Sequence, residues 1–213
     1  MPKTKPFDEH INEYEKWFED NRFVYLSEIQ ALKKVIPEGE KRGIEIGIGS
    51  GIFAKPLGIK EGIEPSATMR KKAKERSLKV VDAVAEKLPY EDESVDFALM
   101  VTTICFVDDI GKSFREAHRI LKKNGSLILG FVDKNSPIGK FYLQHQNESI
   151  FYQDAKFFST TEVIRLLENN GFSVSEIYQT VFGKLNEIKS VQKVEKGYGK
   201  GSFVVIKAEK NVE

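Results

Sequence analysis

The sequence of 213 residues has one cysteine, no long apolar run and almost no net charge. The single cysteine, Cys105, excludes an internal disulfide and a cysteine-rich zinc site, and it suits a reducing cytosol. No apolar run approaches the roughly 18 residues of a membrane-spanning helix, and the N-terminus lacks the apolar core of a secretory signal. These absences predict a cytoplasmic protein.

The charge balance also disfavours two classes of partner. Lysine plus arginine number 33 and aspartate plus glutamate number 32, so the formal net charge is +1. Nothing in this balance favours nucleic acid or an anionic membrane as the main partner. The chain has no internal repeat and no low-complexity segment. Its 40% of hydrophobic residues is ample for a globular core.

From residue 43 onward, short apolar segments alternate with amphipathic ones. The predicted strands are 43–46, 58–64, 79–82, 95–101 and 126–132. Three helices are predicted: one after the glycine loop that follows residue 46, one over 66–76 and one over 108–122. Asn124-Gly125 is expected to end the last of them. Segment 95–101 is nearly all apolar, as expected for a strand covered on both faces. This alternation predicts an α/β fold with a parallel sheet between two layers of helices.

The two ends of the chain differ from this core. Residues 8–36 have helical spacing of apolar residues, and residues 133–158 are irregular and rich in aromatic residues. A helix is predicted over 159–170, with Ser159 or Thr160 as its N-cap and Gly171 as its end. Two further strands, 172–181 and 201–208, are joined by a Gly/Lys-rich connection of hairpin type.

The most specific motif is Glu45-Ile46-Gly47-Ile48-Gly49-Ser50-Gly51, a strand that runs into alternating glycines. A P-loop would need Gly-Lys-Ser/Thr after the second glycine, which is absent. A dinucleotide loop would need G-x-G-x-x-G, but Ile52 stands in the third slot. The loop has no basic residue before Lys55, so its acidic start suits a ligand with an ammonium group and no phosphate. A tight turn without a ligand is the alternative.

Two more carboxylates follow the next predicted strands. Glu64 ends the second strand and could accept both hydroxyls of a ribose, or it could simply stabilise the start of the next helix. Asp82 ends the third strand and could accept from an adenine amino group, with Ala83 leaving room for the ring, or it could be a solvated loop residue. Three carboxylates at three successive strand ends favour the ligand-binding interpretation.

Taken in order, several segments resemble the motifs of class I S-adenosylmethionine-dependent methyltransferases of the small-molecule type. The segments are Glu45 to Gly51, Gly62 to Ser66 with Met69, Asp82-Ala83 with Glu86 to Tyr90 and Ser94 to Asp96, and Arg119 to Gly125. In the last one, Lys123-Asn124 stands where the family's usual Arg-Val-Leu-Lys-Pro-Gly-Gly turn has Pro-Gly. This departure affects the turn and not the cofactor site. The resemblance extends over residues 40–175.

The resemblance implies a Rossmann-like sheet of seven strands in the order 3-2-1-4-5-7-6, with strand 7 antiparallel. It implies S-adenosylmethionine as the cofactor and S-adenosylhomocysteine as the product. No residue is assigned to a metal ion. The implied cofactor-binding residues are Glu45, Gly47, Gly49, Gly51, Glu64, Pro65, Ser66, Met69, Asp82, Ala83 and Thr102.

The implied reaction is methyl transfer to a small-molecule acceptor by in-line displacement. The leaving group is neutral and the cofactor is already activated, so the protein mainly aligns the reactants and excludes water. A general base is needed only if the acceptor must lose a proton, and His10 and His145 are the candidates. The alternative is a regulatory or assembly protein that binds S-adenosylmethionine without turnover.

The acceptor pocket is expected to come from aromatic residues outside the core sheet. The candidates are Tyr14, Trp17 and Phe18 in the first helical region, and Phe131 and Tyr142 around the fifth strand and after it. Such rings could hold a planar or cationic acceptor, or they could be ordinary core residues.

The organisation predicted from these patterns is a single methyltransferase domain, 1–213, acting as a monomer or homodimer. Its parts are an N-terminal helical cap at 1–37, a cofactor-binding core at 40–132, a substrate-covering insertion at 133–158, and a C-terminal helix with a β-hairpin at 159–213.

Overall fold

The computed structural model describes residues 3–211, in which eight strands form one mixed sheet. Five of them are parallel neighbours in the order β3-β2-β1-β4-β5. They are β1 (Gly43–Ile46), β2 (Glu61–Ile63), β3 (Lys79–Val81), β4 (Val95–Val101) and β5 (Leu121–Val132). The strand order reverses between β1 and β4. In open α/β sheets, ligands bind beyond the carboxyl ends of the strands at such a reversal.

Three antiparallel strands complete the sheet beyond β5. They are β6 (Phe172–Thr180), β7 (Glu195–Lys196) and β8 (Phe203–Lys210). Strand β8 lies between β5 and β6 and runs antiparallel to both. Strand β8 corresponds to the predicted strand 7. The predicted order 3-2-1-4-5-7-6, with strand 7 antiparallel, is therefore confirmed. The two residues of β7 pair with β6 inside the predicted hairpin connection and add an eighth strand.

Helices cover both faces of the sheet. In chain order they are α1 (Lys5–Glu9), α2 (Ile11–Asp20), α3 (Arg22–Lys33), α4 (Ala67–Glu75), α5 (Ile110–Ile120), α6 (Pro137–Gln144) and α7 (Thr160–Glu168). Successive residues of a strand face opposite sides, and β4 shows the consequence. Ala98 and Met100 belong to a hydrophobic cluster with α5 and α7, whereas Leu99 and Val101 belong to a second cluster with α3.

The helical region predicted over 8–36 is three short helices and not a continuous one. The chain bends at His10 and Asn21, whose backbone angles are not helical. The Asn21 side chain donates to the Trp17 carbonyl oxygen at 2.9 Å, a local bond that competes with helix propagation. The bends turn α1 and α2 away from α3 and across the carboxyl ends of the strands.

Two other helix predictions were wrong in position. No helix leaves the glycine loop: residues 50–58 form successive turns, with positive φ at Gly51 and Gly58. The helix predicted over 108–122 ends at Ile120, because Leu121 is already extended and pairs with Val95. Asn124 and Gly125 therefore lie inside β5 and do not end the helix.

Residues 133–158, predicted as irregular, contain a helix. Ser136 caps α6 by accepting from the Gly139 N–H at 3.0 Å, and Pro137 occupies its first turn. By contrast, the predicted caps of the next helix are present. Ser159 and Glu162 form a reciprocal capping box at the start of α7, and Gly171 follows its end with a φ of 83°.

The limits of the predicted domain, residues 1 and 213, lie outside the described residues. Within 3–211, no helix combines the length and the apolar composition that crossing a bilayer requires.

Candidate active site

A cavity of about 500 Å³ opens at the carboxyl ends of β1, β2 and β4. Its floor includes the glycine loop after β1. Gly47 and Gly49 line the cavity with φ values of 72° and 54°. A Cβ on Gly47 would lie 2.5 Å from Thr103 Cγ2, so a larger residue would not fit there. Gly51 does not line the cavity, and a Cβ on it would collide with the Leu78 side chain.

The Glu64 carboxylate ties the end of β2 to the glycine loop. Its Oε2 accepts from the Gly49 N–H at 3.0 Å, and its Oε1 accepts from the Ser66 N–H at 2.8 Å. Burial raises the pKa of Glu64, while these two hydrogen bonds oppose the rise. Glu64 also lines the cavity, so it presents a fixed carboxylate to a ligand.

Glu45 lies at the same end of the sheet, on β1, and is only 1% exposed. Among the residues that the structure describes, its Oε2 has no hydrogen-bond partner. Burial and the neighbouring Glu64 charge raise its pKa well above the ordinary value. A buried carboxylate oxygen without a partner is costly. Glu45 itself is not part of the cavity lining. An ammonium group bound above the glycine loop would offset part of that cost, so these residues fit the amino-acid portion of S-adenosylmethionine.

The start of α4 is shared between the cavity and the N-terminal segment. Pro65 and Met69 line the cavity. Ser66 does not: its Oγ accepts from the Met69 N–H at 3.2 Å and donates to Asp8 of α1 at 2.6 Å. Burial alone would raise the pKa of Asp8, but hydrogen bonds from Ser66 and Thr68 hold it below the ordinary value. Ser66 therefore caps α4 and anchors α1.

The predicted adenine-side residues lie at the rim. Asp82 and Ala83 are not part of the lining. The Asp82 carboxylate is 70% exposed and pairs with Arg70 at 2.8 Å. The next residues along the chain line the cavity instead: Val84, Ala85 and Glu86. Glu86 accepts from the Asp108 and Asp109 N–H groups at 2.8 and 3.1 Å, which holds this segment against the start of α5.

Thr102, which the resemblance assigned to the cofactor, follows β4 directly and lines the cavity. Its φ of 49° is unusual for a β-branched residue. Its N–H donates to the Gly130 carbonyl oxygen at 2.7 Å, which holds the strained turn against β5.

Aromatic side chains from α1 and α2 form a roof over the glycine loop. Phe7, Tyr14, Trp17 and Phe18 all line the cavity. The Tyr14 hydroxyl lies 3.5 Å from where a Cβ on Gly49 would be. Tyr14 also packs edge-on against Phe7 and Phe18, with ring centroids 6.0 and 5.1 Å apart. Burial is the main cause that raises the pKa of Tyr14, followed by the charges of Glu45 and Glu64.

The remaining predicted pocket residues divide into two groups. Tyr142 lines the cavity, together with Phe151 and Tyr152 from the same stretch of chain. Phe131 does not line the cavity. Its ring is buried in the hydrophobic cluster that packs against α5 and α7, and it borders only a small separate void beside Cys105. Burial raises the pKa of the Cys105 thiol to about 12, so this thiol is not a nucleophile.

Neither histidine proposed as a general base lines the cavity. His10 lies between α1 and α2, and its Nδ1 is 3.4 Å from Oε1 of Glu13. His145 follows α6, where its Nδ1 is 2.9 Å from the Phe141 carbonyl oxygen and its ring packs on the Phe141 ring. Residues 3–211 also contain no group of three or more His, Cys, Asp or Glu side chains that could hold a metal ion.

The structure adds lining residues that sequence patterns did not identify. Among them is Glu28 on α3, a carboxylate that is 5% exposed. Others come from the chain's C-terminal third. They are Val181, Leu185, Ser202 and Phe203. A charged residue in an otherwise uncharged run of α3 was the only signal for Glu28. No sequence signal pointed to the C-terminal group.

Comparison with known proteins agrees with this geometry. A family model described as a methyltransferase domain matches residues 44–129. An uncharacterized protein of Methanocaldococcus jannaschii is 45% identical over 204 residues, which cover 96% of this chain and 98% of the relative. An uncharacterized protein of Mycobacterium tuberculosis is 32% identical over 177 residues, and the chain spans 62% of its length.

A solved structure is also close to this one. It is an S-adenosylmethionine-dependent methyltransferase of Thermotoga maritima, described as a possible histamine N-methyltransferase. The two chains are 49% identical and superpose with a TM-score of 0.94, covering 97% of this chain and 99% of the other.

Proposed function

The chain belongs to the S-adenosylmethionine-dependent methyltransferases, and from this premise we propose that it methylates a small-molecule acceptor by in-line displacement. The observation that carries the proposal is the cavity of about 500 Å³ beneath the rings of α1 and α2. Its volume falls in the range of small-molecule sites, roughly 300–1,000 Å³. The cofactor takes part of that space, so the acceptor is a small compound.

The cofactor supplies an activated methyl group on a sulfonium. The chain's own residues would hold the cofactor in place. Gly47 and Gly49 let the backbone approach closely, and the unpartnered Oε2 of Glu45 suits an ammonium group. Glu64 accepts the ribose hydroxyls in this proposal. A carboxylate has about four acceptor positions, so Glu64 can keep its bonds to the Gly49 and Ser66 N–H groups as well.

The adenine ring, in this proposal, contacts the segment that follows β3. Val84 and Ala85 line the cavity there, while Asp82 is paired with Arg70 at the rim. Glu86 fixes the segment through the Asp108 and Asp109 N–H groups. The predicted role of Asp82 therefore shifts along the chain to residues 84–86.

Methyl transfer at carbon needs alignment and the exclusion of water. Tyr14, Trp17 and Phe18 cover the glycine loop from one side, and Tyr142 and Tyr152 close the acceptor end. In this proposal α1 and α2 open to admit the cofactor and close before the reaction. We further propose that the protein works as a monomer or homodimer, with neither nucleic acid nor a membrane as its partner.

The first experiment is calorimetry with S-adenosylhomocysteine and with NAD. We expect micromolar binding of the former and none of the latter; the reverse result would refute the cofactor assignment. The second is product detection by mass spectrometry over amines, phenols, thiols and carbon acids. Histamine belongs in that panel because of the description of the Thermotoga protein. Transfer only to proteins or nucleic acids would contradict a small-molecule acceptor.

A further inference from the structure

A buried carboxylate without a partner lies at the acceptor end of the cavity. Glu28 of α3 is 5% exposed and lines the cavity. Within residues 3–211 the structure gives it neither a hydrogen bond nor an ion pair. Its neighbour Ser27 accepts from the Gln192 N–H at 2.8 Å and donates to the Phe23 carbonyl oxygen at 2.6 Å. The helix turn that carries Glu28 is therefore fixed in position.

The surroundings of Glu28 are aromatic and apolar. Burial raises the pKa values of three nearby phenols, and the charge of Glu28 adds to the rise. They are Tyr25 from the same helix, Tyr142 from α6, and Tyr152 from the segment that follows α6. Val24, Ile138 and Phe203 complete this end of the lining. No cation among the described residues acts on Glu28, so burial alone raises its pKa to about 8.

Burying an ionised carboxylate without a partner carries a large cost in desolvation free energy. It becomes favourable when a ligand supplies the missing opposite charge, because the pair is then stabilised in a medium of low dielectric. Aromatic rings around the carboxylate attract the same kind of ligand, since a cation interacts with the face of a ring. Tyr142 and Tyr152 provide such rings in the cavity lining. The ligand that matches this end of the cavity therefore carries a compact ammonium group on an apolar skeleton.

We propose that Glu28 binds the ammonium group of a small arylalkylamine and accepts its proton, which makes the enzyme an amine N-methyltransferase. This inference rests on the proposed function, since it names the acceptor of that same cavity. The N–H bond of the ammonium breaks and an O–H bond forms on Glu28. The nitrogen lone pair so released forms the new C–N bond to the methyl carbon. The C–S bond breaks and its electrons remain on sulfur. Glu28 then returns its proton to solvent.

An alternative role for the Glu28 side chain leads to a different expected result. Protonated Glu28 could donate a hydrogen bond to a neutral oxygen acceptor. In that case alcohols would bind as well as amines, and ligand binding would leave the Glu28 proton in place.

The test is calorimetry on the protein saturated with S-adenosylhomocysteine at pH 7, in two buffers that differ in ionisation enthalpy. The probes are three arylalkylamines and their alcohol counterparts. They are 2-phenylethylamine, tyramine and tryptamine, against 2-phenylethanol, tyrosol and tryptophol. We expect amines to bind at least about 10-fold more tightly than alcohols, as a charged hydrogen bond implies. We also expect nearly one proton released per amine bound, because Glu28 is mostly protonated before binding and ionised after it.

The variants are Glu28→Gln and, as a matched control, Glu19→Gln on the exposed face of α2. Glu28→Gln should abolish the proton release and weaken amine binding about 10- to 100-fold, with unchanged affinity for S-adenosylhomocysteine. Glu19→Gln should behave as the wild type. Failure of all three amines to bind, equal binding of amines and alcohols, or undiminished proton release in Glu28→Gln would each overturn the proposal. Loss of S-adenosylhomocysteine binding by the wild type would instead refute the proposed function.

Discussion

The Gly49 N–H donates to Oε2 of Glu64 across 3.0 Å, and this bond adds to the backbone bonds from Gly47 and Ile48 to Ile63 that join the loop after β1 to the end of β2. The two residues are 15 positions apart in sequence, and both line the cavity. The glycine loop is thus held in the shape that receives a ligand before the ligand arrives. Such preorganisation lowers the conformational cost of binding.

The first prediction concerns Glu64. Glu64→Ala should weaken S-adenosylhomocysteine binding by about 1.5–3 kcal/mol for each charged hydrogen bond to ribose that is lost. Water that takes the place of the carboxylate would reduce this loss. The same change removes the acceptors of two backbone N–H groups, so we also expect a lower free energy of unfolding. Calorimetry and urea denaturation measure the two effects. Glu64→Gln keeps the size of the side chain and serves as the control. Unchanged affinity in Glu64→Ala would remove Glu64 from the cofactor site.

The second prediction concerns the roof formed by α1 and α2. Trp17 is the only tryptophan and lines the cavity, so its fluorescence reports this roof alone. Addition of S-adenosylhomocysteine should shift or quench its emission. Deletion of residues 1–20 should abolish turnover while the sheet still folds, as circular dichroism would show. Two results together would contradict this prediction: Trp17 emission that does not change with the ligand, and a truncated chain that cannot fold. They would mean that α1 and α2 are a permanent part of the core.

The third prediction concerns the contact between Asp8 and Ser66. Asp8→Asn should loosen α1 from α4, since the carboxylate accepts from both Ser66 Oγ and the Thr68 N–H. The pKa of Asp8 is lowered, so the stabilisation is present above its unfolded value near 3.8 and is lost as the pH falls through the folded value. At neutral pH we expect faster release of S-adenosylhomocysteine by stopped-flow fluorescence of Trp17. Asp20→Asn, at the exposed end of α2, is the control, and equal release rates would contradict the prediction.

The fourth prediction concerns Glu28 and pH. Its pKa rises from 4.5 in the unfolded chain to about 8 in the folded protein. The folded state therefore binds more protons than the unfolded state between these values, and the free energy of unfolding falls as the pH rises from about 4.5 to about 8. Glu28→Gln should lose this part of the pH dependence and be the more stable protein at pH 9. Each unit of pKa difference corresponds to about 1.4 kcal/mol, so the effect is measurable by urea denaturation at pH 5, 7 and 9. Parallel pH profiles for the two proteins would show that Glu28 does not take up a proton on folding.

Local sequence patterns accounted for the sheet and for the glycine loop. The strand pattern at 95–101 predicted a strand covered on both faces, and β4 has the same limits. Such features depend on residues that are neighbours in the chain. Alternation along a strand, glycine at positive φ and a carboxylate at a strand end are each decided within a few positions. Predicted helix ends were less reliable, because strand pairing at Leu121 and a side-chain bond at Asn21 overrode the local preference.

The sequence by itself determined the fold class and the floor of the cavity at Gly47, Gly49 and Glu64, and its family resemblance supplied the strand order. Only the tertiary structure decided the rest of the site. It placed Ser66 beneath Asp8, put residues 84–86 and not Asp82 in the lining, left both candidate histidines outside it, and brought Glu28 into it. The physical reason is that a side chain's surroundings come from elements distant in the sequence. Glu28 lines the cavity together with Tyr142 of α6 and Phe203 of β8, and the apolar pattern within α3 does not show which elements pack against it.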